Sequence, residues 1–274
     1  MLCRGVTYTR AMPRTNRSPP APSATLPVPL VRTHRGRRTL EFSAGDIQSE
    51  MLVARPDALV LAYSRAMVCF ALFVPRPRHI VMIGLGGGSL AKFCYRHFPD
   101  AQITVVELRA DVIALRGQFC VMPDDARFRV LHADGADFVR TLRAGADVLI
   151  VDGFDAAGLA PALASTRFYA DCRRALRPGG VLVANVFSYD PQFAARRARL
   201  RDAFAGHLCC LEGAAGNNRI MFALKTPAPQ RAGAARALRV QRLLGWRAWA
   251  GTGLLNRLLV RAVVAWLGRR RRAD

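Results

Sequence analysis

"HIVMIGLGGGSLAKFCYRHFPDAQITVVELRADVI", His79 to Ile113, decides the fold. An apolar run enters a cluster of glycines at Gly84, Gly86, Gly87 and Gly88. A helix-like stretch follows from Ser89, and a second apolar run ends on Glu107. Glycines at a strand-to-helix turn permit backbone angles and close approaches that side chains prevent. An acid closing the next strand, about twenty residues on, stands where it can hold the hydroxyls of a ribose. The stretch therefore predicts a nucleotide pocket at the carboxyl ends of parallel strands.

The alternation continues outward. "FRVLHAD", "DVLIVDGF" and "GGVLVANVF" read as strands, with helical stretches between them. Two further strands, "HLCCLEG" and "NRIMFALK", close the series. Continuous apolar strands separated by helices predict a parallel sheet covered on both faces. The late pair of strands predicts an α/β fold over residues 78–225. It is a Rossmann-like, mostly parallel, doubly wound sheet of the class I S-adenosylmethionine methyltransferase type. Upstream, residues 39–77 predict a small region of β-hairpin ("RTLEFSAGDIQSEM") and helix ("PDALVLAYSRAMVCFALF"). The apolar run Leu59 to Val74 is short for a membrane span and contains Arg65, so it predicts a buried helix.

The formal net charge is +22, but its location matters. Residues 1–38 carry eight arginines and no acids; residues 226–274 carry eleven arginines and one aspartate. The body between them is nearly balanced. The arginine excess accompanies abundant Ala, Gly and Pro, so it gives no argument for nucleic acid as a partner. Residues 1–38, rich in Pro, Arg, Ser and Thr, predict a disordered basic extension. Residues 226–274 predict a basic linker and an amphipathic helix, with Leu254, Leu255, Leu258, Leu259, Val263 and Trp266 on one face. Such a helix can lie on an anionic membrane surface, dock on the body or on a dimer mate, or do little. Seven cysteines without a C-x-x-C pair, and an N-terminus without an apolar signal core, predict a reduced cytoplasmic chain. A peripheral place at the membrane would come only from the C-terminal helix. His79, His97, His132 and His207 show no metal spacing, so no metal is expected. Cys120 and Cys172 read as packing thiols.

A dinucleotide and S-adenosylmethionine both satisfy the glycines and Glu107. The next strand ends favour the sulfonium nucleoside. "HADGADF" sets Asp134 and Gly135 where an acid can accept from an adenine amino group. "VDGFDAAG" sets Asp152 and Asp155 over the crevice.

From about Gln48 to Lys225 the chain resembles the polyamine aminopropyltransferases, the spermidine synthase family. The matching pieces come in order: "QSEM", "IGLGGGSL", "VVELRADVI", "HADGADFV", "DVLIVDGFD" and "RFYADCRRALRPGGVLV". The resemblance implies transfer of an aminopropyl group from decarboxylated S-adenosylmethionine to a small amine such as putrescine, releasing methylthioadenosine. The donor is a co-substrate; no prosthetic group is implied. Carried over by position, Gln48 lies near the sulfonium nucleoside, as do Gly84, Gly86, Gly87, Gly88 and Ser89. Glu107 takes the ribose diol, and Asp134 with Gly135 the adenine. Asp152 supports the pocket, Asp155 accepts the proton of the attacking amine, and Tyr63 stands near the acceptor. A homodimer is also implied. Two positions depart from the family pattern. Ser89 stands where an acid is usual in the glycine loop, and Tyr63 is followed by Ser64, Arg65 and Ala66 with no acid. These departures keep two rivals in view: a methyltransferase using intact S-adenosylmethionine, and a catalytically weak nucleoside-binding protein.

Overall fold

A computed structural model describes residues 27–155, 158–226 and 253–270. Its first element is a strand where the composition predicts disorder. β1 (Leu30–His34), β2 (Arg37–Glu41) and β3 (Ile47–Leu52) form an antiparallel three-stranded sheet. The disordered extension therefore stops short of residue 38. Arg35 and Gly36 both have positive φ, 47° and 72°. This is the two-residue hairpin turn that matches strand twist. Arginine in place of Asn or Asp at its first position conceals it in the sequence. The expectation of disorder for residues 1–26 and of a linker across 227–252 lies outside the described residues.

The apolar run that follows folds as α1 (Ala62–Met67) and a short 3₁₀ turn over Val68–Leu72. Ser64, Ala66 and the run Met67 to Ala71 are buried. Arg65 donates to the carbonyls of Leu59 and Val60 and so satisfies its charge locally.

The main sheet then forms from β4 (His79–Ile83), β5 (Gln102–Glu107), β6 (Phe128–His132) and β7 (Ala146–Val151). A short ladder of β8 (Phe154–Asp155) and β9 (Gly158–Leu159) follows. β10 (Leu176–Phe187), β11 (Leu208–Ala215) and β12 (Asn218–Leu224) complete it. The order is β11-β12-β10-β7-β4-β5-β6, with β4, β5, β6, β7 and β10 parallel and the last two strands antiparallel. This is the doubly wound sheet expected. Its central strands are buried almost throughout because their apolar runs face helices on both sides.

The helices are α2 (Ser89–His97), α3 (Ala110–Ala114), α4 (Gly135–Thr141), α5 (Thr166–Ala175), α6 (Phe193–Ala203) and α7 (Gly253–Arg270). One core layer joins α1, α2, α7 and the small N-terminal sheet. The other joins α4, α5 and α6.

The C-terminal helix docks on the body, and by a face other than the one the leucines suggest. Its buried positions are Asn256, Val260, Val263 and Leu267, whereas Leu254, Leu255 and Leu258 are exposed. The polar residues set this rotation. The Asn256 amide donates to the Glu212 carbonyl at 2.9 Å, and Arg257 Nε donates to that of Gly213 at 2.8 Å. Both carbonyls lie where β11 slips register against β12. Among the described residues, no helix is long and apolar enough to cross a membrane.

Candidate active site

Strand register brings the site together. Ile83 pairs with Val106 on one side and Val151 on the other. Gly84, Glu107 and Asp152, each near or just past those pairs, therefore emerge at one level. β4 and β7 flank the point where the chain reverses its direction of winding, where doubly wound sheets open a crevice. A cleft of about 480 Å³ lies there. Gln48, Tyr63, Gly84, Gly86, Ser89, Glu107, Asp134, Gly135 and Asp152 all line it.

Glu107 is held by backbone. Its Oε2 accepts from Leu85 N–H at 2.8 Å, and its Oε1 from Arg109 N–H at 2.9 Å. Each oxygen keeps a lone pair, so the carboxylate can still receive a diol. Asp134 caps α4: Oδ1 accepts from the N–H groups of Ala136 and Asp137, at 2.7 and 2.9 Å. Its second oxygen can accept a further hydrogen bond. Gly135 packs against Ile83 so closely that a Cβ would stand 2.3 Å from Cγ2.

The glycine turn is tight for a similar reason. A Cβ on Gly87 would stand 2.7 Å from Ser49 Oγ and 2.8 Å from the Phe119 ring. Gly88 ends the turn with φ 65° and precedes α2. Ser89 faces the small sheet, its hydroxyl 3.4 Å from both Ser49 Oγ and the Glu50 carbonyl. Beneath it Lys92 is buried, donating to the Phe119 carbonyl at 2.5 Å, and burial lowers its amine to about 8.

Asp152 and Tyr63 meet at the floor of the cleft. The Tyr63 hydroxyl donates to the Gln48 carbonyl, 3.3 Å away, and neighbours the Asp152 carboxylate. Burial pushes the Asp152 carboxyl up to about 6, against the opposing hydrogen bonds from Asn185 and Tyr63. Burial, and then the neighbouring carboxylate, push the Tyr63 phenol well above its usual range. The Gln48 side chain turns to Asp46, donating to Oδ2 at 2.8 Å.

Asp155 lies on the short β8–β9 ladder opposite Gly158, and its side chain is outside the described residues. Gly87 and Gly88 shape the turn from behind the cleft. Sequence reasoning missed Asn185, Asn218, Asp46 and Ser49, which also line it. Asn185 carried a signal: it is a polar residue within the apolar run "VLVANVF". Among the described residues, no three His, Cys, Asp or Glu side chains are grouped to hold a metal.

A doubly wound parallel sheet, with a glycine turn and acids on successive strand ends around one cleft, defines a Rossmann-type α/β protein of the methyltransferase topology. Comparison with known proteins narrows this class. Residues 60–192 match the family model of the spermine/spermidine synthase domain. The polyamine aminopropyltransferase of Chromobacterium violaceum is 40% identical over 189 residues, 69% of this chain and 72% of that protein. The protein of the same name from Neisseria meningitidis serogroup A is 36% identical over 196 residues, 70% of this chain and 74% of its own. The crystal structure of a probable spermidine synthase from Corynebacterium glutamicum superposes with a TM-score of 0.64 at 22% identity. It covers 77% of this chain and 82% of that one, and it supports the fold. The chain belongs to the spermine/spermidine synthase family.

Proposed function

We propose that this chain transfers an aminopropyl group from decarboxylated S-adenosylmethionine to a small amine, releasing methylthioadenosine. The observation that carries the reading is that Asp152, Tyr63, Glu107 and Asp134 line one cleft. Family membership supports it. Glu107 takes the ribose diol and Asp134 the adenine amino group, while Gly84 and Gly86 let the backbone approach the nucleoside. Gln48 and Ser89 border the sulfonium end.

The amine nitrogen attacks the methylene bound to S⁺. A C–N bond forms, the C–S bond breaks, and its electron pair returns sulfur to a neutral thioether. Most of the activation belongs to the donor. The protein aligns the amine and takes its proton. We assign that proton to Asp152, whose carboxylate lines the cleft; Asp155, to which the family resemblance gives the same role, has its side chain outside the described residues. A carboxyl titrating near 6 lies closer to an ammonium than an ordinary carboxylate does, so proton transfer is less uphill.

The lining also favours the decarboxylated donor. An intact methionyl carboxylate needs a free cation or N–H groups. Arg109, which lines the cleft, is engaged by Asp111 at 2.6 Å and by the Pro27 carbonyl. Asp46, Glu107, Asp134 and Asp152 instead give the cleft acids that suit an ammonium tail and a cationic acceptor. Two copies form the working particle in this reading, as in the family resemblance, and light scattering of the purified chain tests that point.

The deciding experiment incubates purified protein with decarboxylated S-adenosylmethionine and a panel of diamines, and separately with S-adenosylmethionine and cell extract. Mass spectrometry reads the spent nucleoside. Amine-dependent methylthioadenosine in the first incubation is the expected result. S-adenosylhomocysteine in the second, with none in the first, overturns the reading.

A further inference from the structure

Two asparagines fix Asp152 from behind. Ala184 on β10 pairs with Val151, so Asn185 emerges beside Asp152. Asn185 is 2% exposed. Its Nδ2 donates to Asp152 Oδ1 at 2.8 Å, and its Oδ1 accepts from Asn218 Nδ2 at 2.9 Å. Asn218 opens β12 opposite Phe187, just after the hairpin turn. That turn is tied to the end of β10 by Ser188 N–H, which donates to the Asn217 carbonyl at 2.8 Å. An amide side chain fits its space either way round, and hydrogen-bond partners decide which. Flipped, Asn185 would set its oxygen against the carboxylate and its NH₂ against that of Asn218. Asp152, which only accepts, and Asn218, which donates to Asn185 Oδ1, together fix which end of Asn185 meets Asp152.

We propose that Asn185 and Asn218 are positioning residues for the transfer reaction, a relay that presents an N–H to Asp152 and aims the rest of its carboxylate at Tyr63 and the amine. The inference rests on the reading of Asp152 as the base. Nothing in the chemistry of displacement requires either asparagine to touch the reacting atoms.

The other titratable or charged groups described around the cleft are Tyr63 on α1, Asp46 before β3, Glu107 ending β5, Asp134 at α4, Arg109 and Tyr189 after β10. Tyr63 is the one of these close enough to Asp152 to favour its charged form. Burial pushes the Asp152 carboxyl up, and the relay opposes burial by solvating the charged form. Losing the N–H leaves burial less opposed, so Asp152 titrates higher. A base works deprotonated; the acid limb of the rate profile then moves to higher pH.

The test uses the full chain and methylthioadenosine release between pH 5 and 9, with donor saturating. Wild type is compared with Asn185→Leu, Asn218→Asp and Asp152→Asn. Asn218→Asp keeps the shape but has no N–H to give, so Asn185, now between two carboxylates, no longer commits its NH₂ to Asp152. Asn217→Asp, one residue away on the same cleft, controls for the added charge, and the relay requires the larger rise in Asn218→Asp. The expected result is an acid limb raised by about one unit in both Asn185→Leu and Asn218→Asp. Turnover at pH 6 then falls about fivefold, the deficit shrinks above pH 8, and donor KM changes less than about twofold. A merely structural role would lower kcat alike at every pH. Position 218 is half-buried in a hairpin, so Asn218→Asp still reads out if Asn185→Leu fails to fold. An acid limb unmoved in Asn218→Asp, with Asp152→Asn inactive, sinks the relay alone. Turnover surviving in Asp152→Asn sinks the reading of the base on which the relay rests.

Discussion

The backbone of Gly84 lies against the carbonyl of Asp152: a Cβ on Gly84 would stand 2.4 Å from that oxygen. Asp152 N–H in turn donates to the Ile83 carbonyl at 2.9 Å. The glycine turn and the acid proposed to take the proton are thus one packed unit. Gly84 also has φ 101°, where a side chain is strained. Gly84→Ala is expected to cost on the order of 1–3 kcal/mol of stability. It should also displace Asp152, so turnover should fall further than the lost folded fraction explains. Urea unfolding and kcat, measured on the same preparation, separate the two effects.

Asp152→Asn should lower kcat by roughly 10²- to 10⁴-fold, the usual range for a positioned base. Donor binding should survive, because Glu107 and Asp134 are untouched. In the wild type, activity should rise with pH through about 6, as the buried carboxyl loses its proton. Tyr63→Phe removes a neighbouring hydroxyl that favours the charged carboxylate, so it should move that limb upward and reduce kcat at neutral pH. Methylthioadenosine release across pH 5 to 9 checks all three points. A flat profile through pH 6 would count against Asp152 as the base.

Glu107→Gln tests the donor half. Glu107 accepts from the N–H groups of Leu85 and Arg109 with different oxygens, and a glutamine presents one oxygen and one NH₂. One backbone N–H then faces a donor, and one acceptor for the ribose is lost. Donor affinity should fall about ten- to a hundredfold, the equivalent of about 1.5–3 kcal/mol for a charge-assisted bond. The readout is donor KM at saturating amine, with kcat much less affected.

Much of this was legible before any coordinates. Apolar strands of five or six residues that repeat between helices give the sheet, and acids at their carboxyl ends give Glu107, Asp134 and Asp152. What the sequence hides is lateral. The neighbour of β7 is β10, more than twenty residues on, so nothing local announces that Asn185 stands beside Asp152. The strand before residue 38 is hidden by an arginine in a turn position that glycine-rich pairs usually mark. The rotation of α7 is hidden because counting leucines ignores what Asn256 and Arg257 reach.

Substitutions on α7 distinguish a docked helix from one lying on lipid. Val263 is 4% exposed and packed in the core shared with α1 and β11. Leu258, on the stripe read from sequence, is 49% exposed. Val263→Asp buries an unpaired carboxyl and should cost several kcal/mol, on the order of 2–5. Leu258→Asp should change stability by less than about 0.5 kcal/mol. Equal tolerance of both substitutions in thermal unfolding would argue against docking.

The response to alkali follows from burial of the thiols. Cys69 and Cys210 are pushed up to about 12, and Cys94, Cys172 and Cys209 are raised well above the usual value of 9.0, in each case mainly by burial. A group whose folded pKa exceeds its unfolded one contributes stability fully below the unfolded value. That contribution is lost as pH rises toward the folded value. Each thiol should therefore remove about 1.4 kcal/mol per pH unit above 9. Lys92 runs the other way. Its amine is lowered from 10.5 to about 8, so the folded chain sheds this proton first and gains stability between those values. Lys225 is lowered too, mainly by burial, but five thiols outweigh two amines, and the urea midpoint in reducing buffer should be lower at pH 10 than at pH 8. Lys92→Met removes one opposing contribution and should make the midpoint fall more steeply over the same interval. Cys172→Ala should make it fall less steeply. A midpoint that holds or rises toward pH 10 would mean that these thiols meet water in the folded chain.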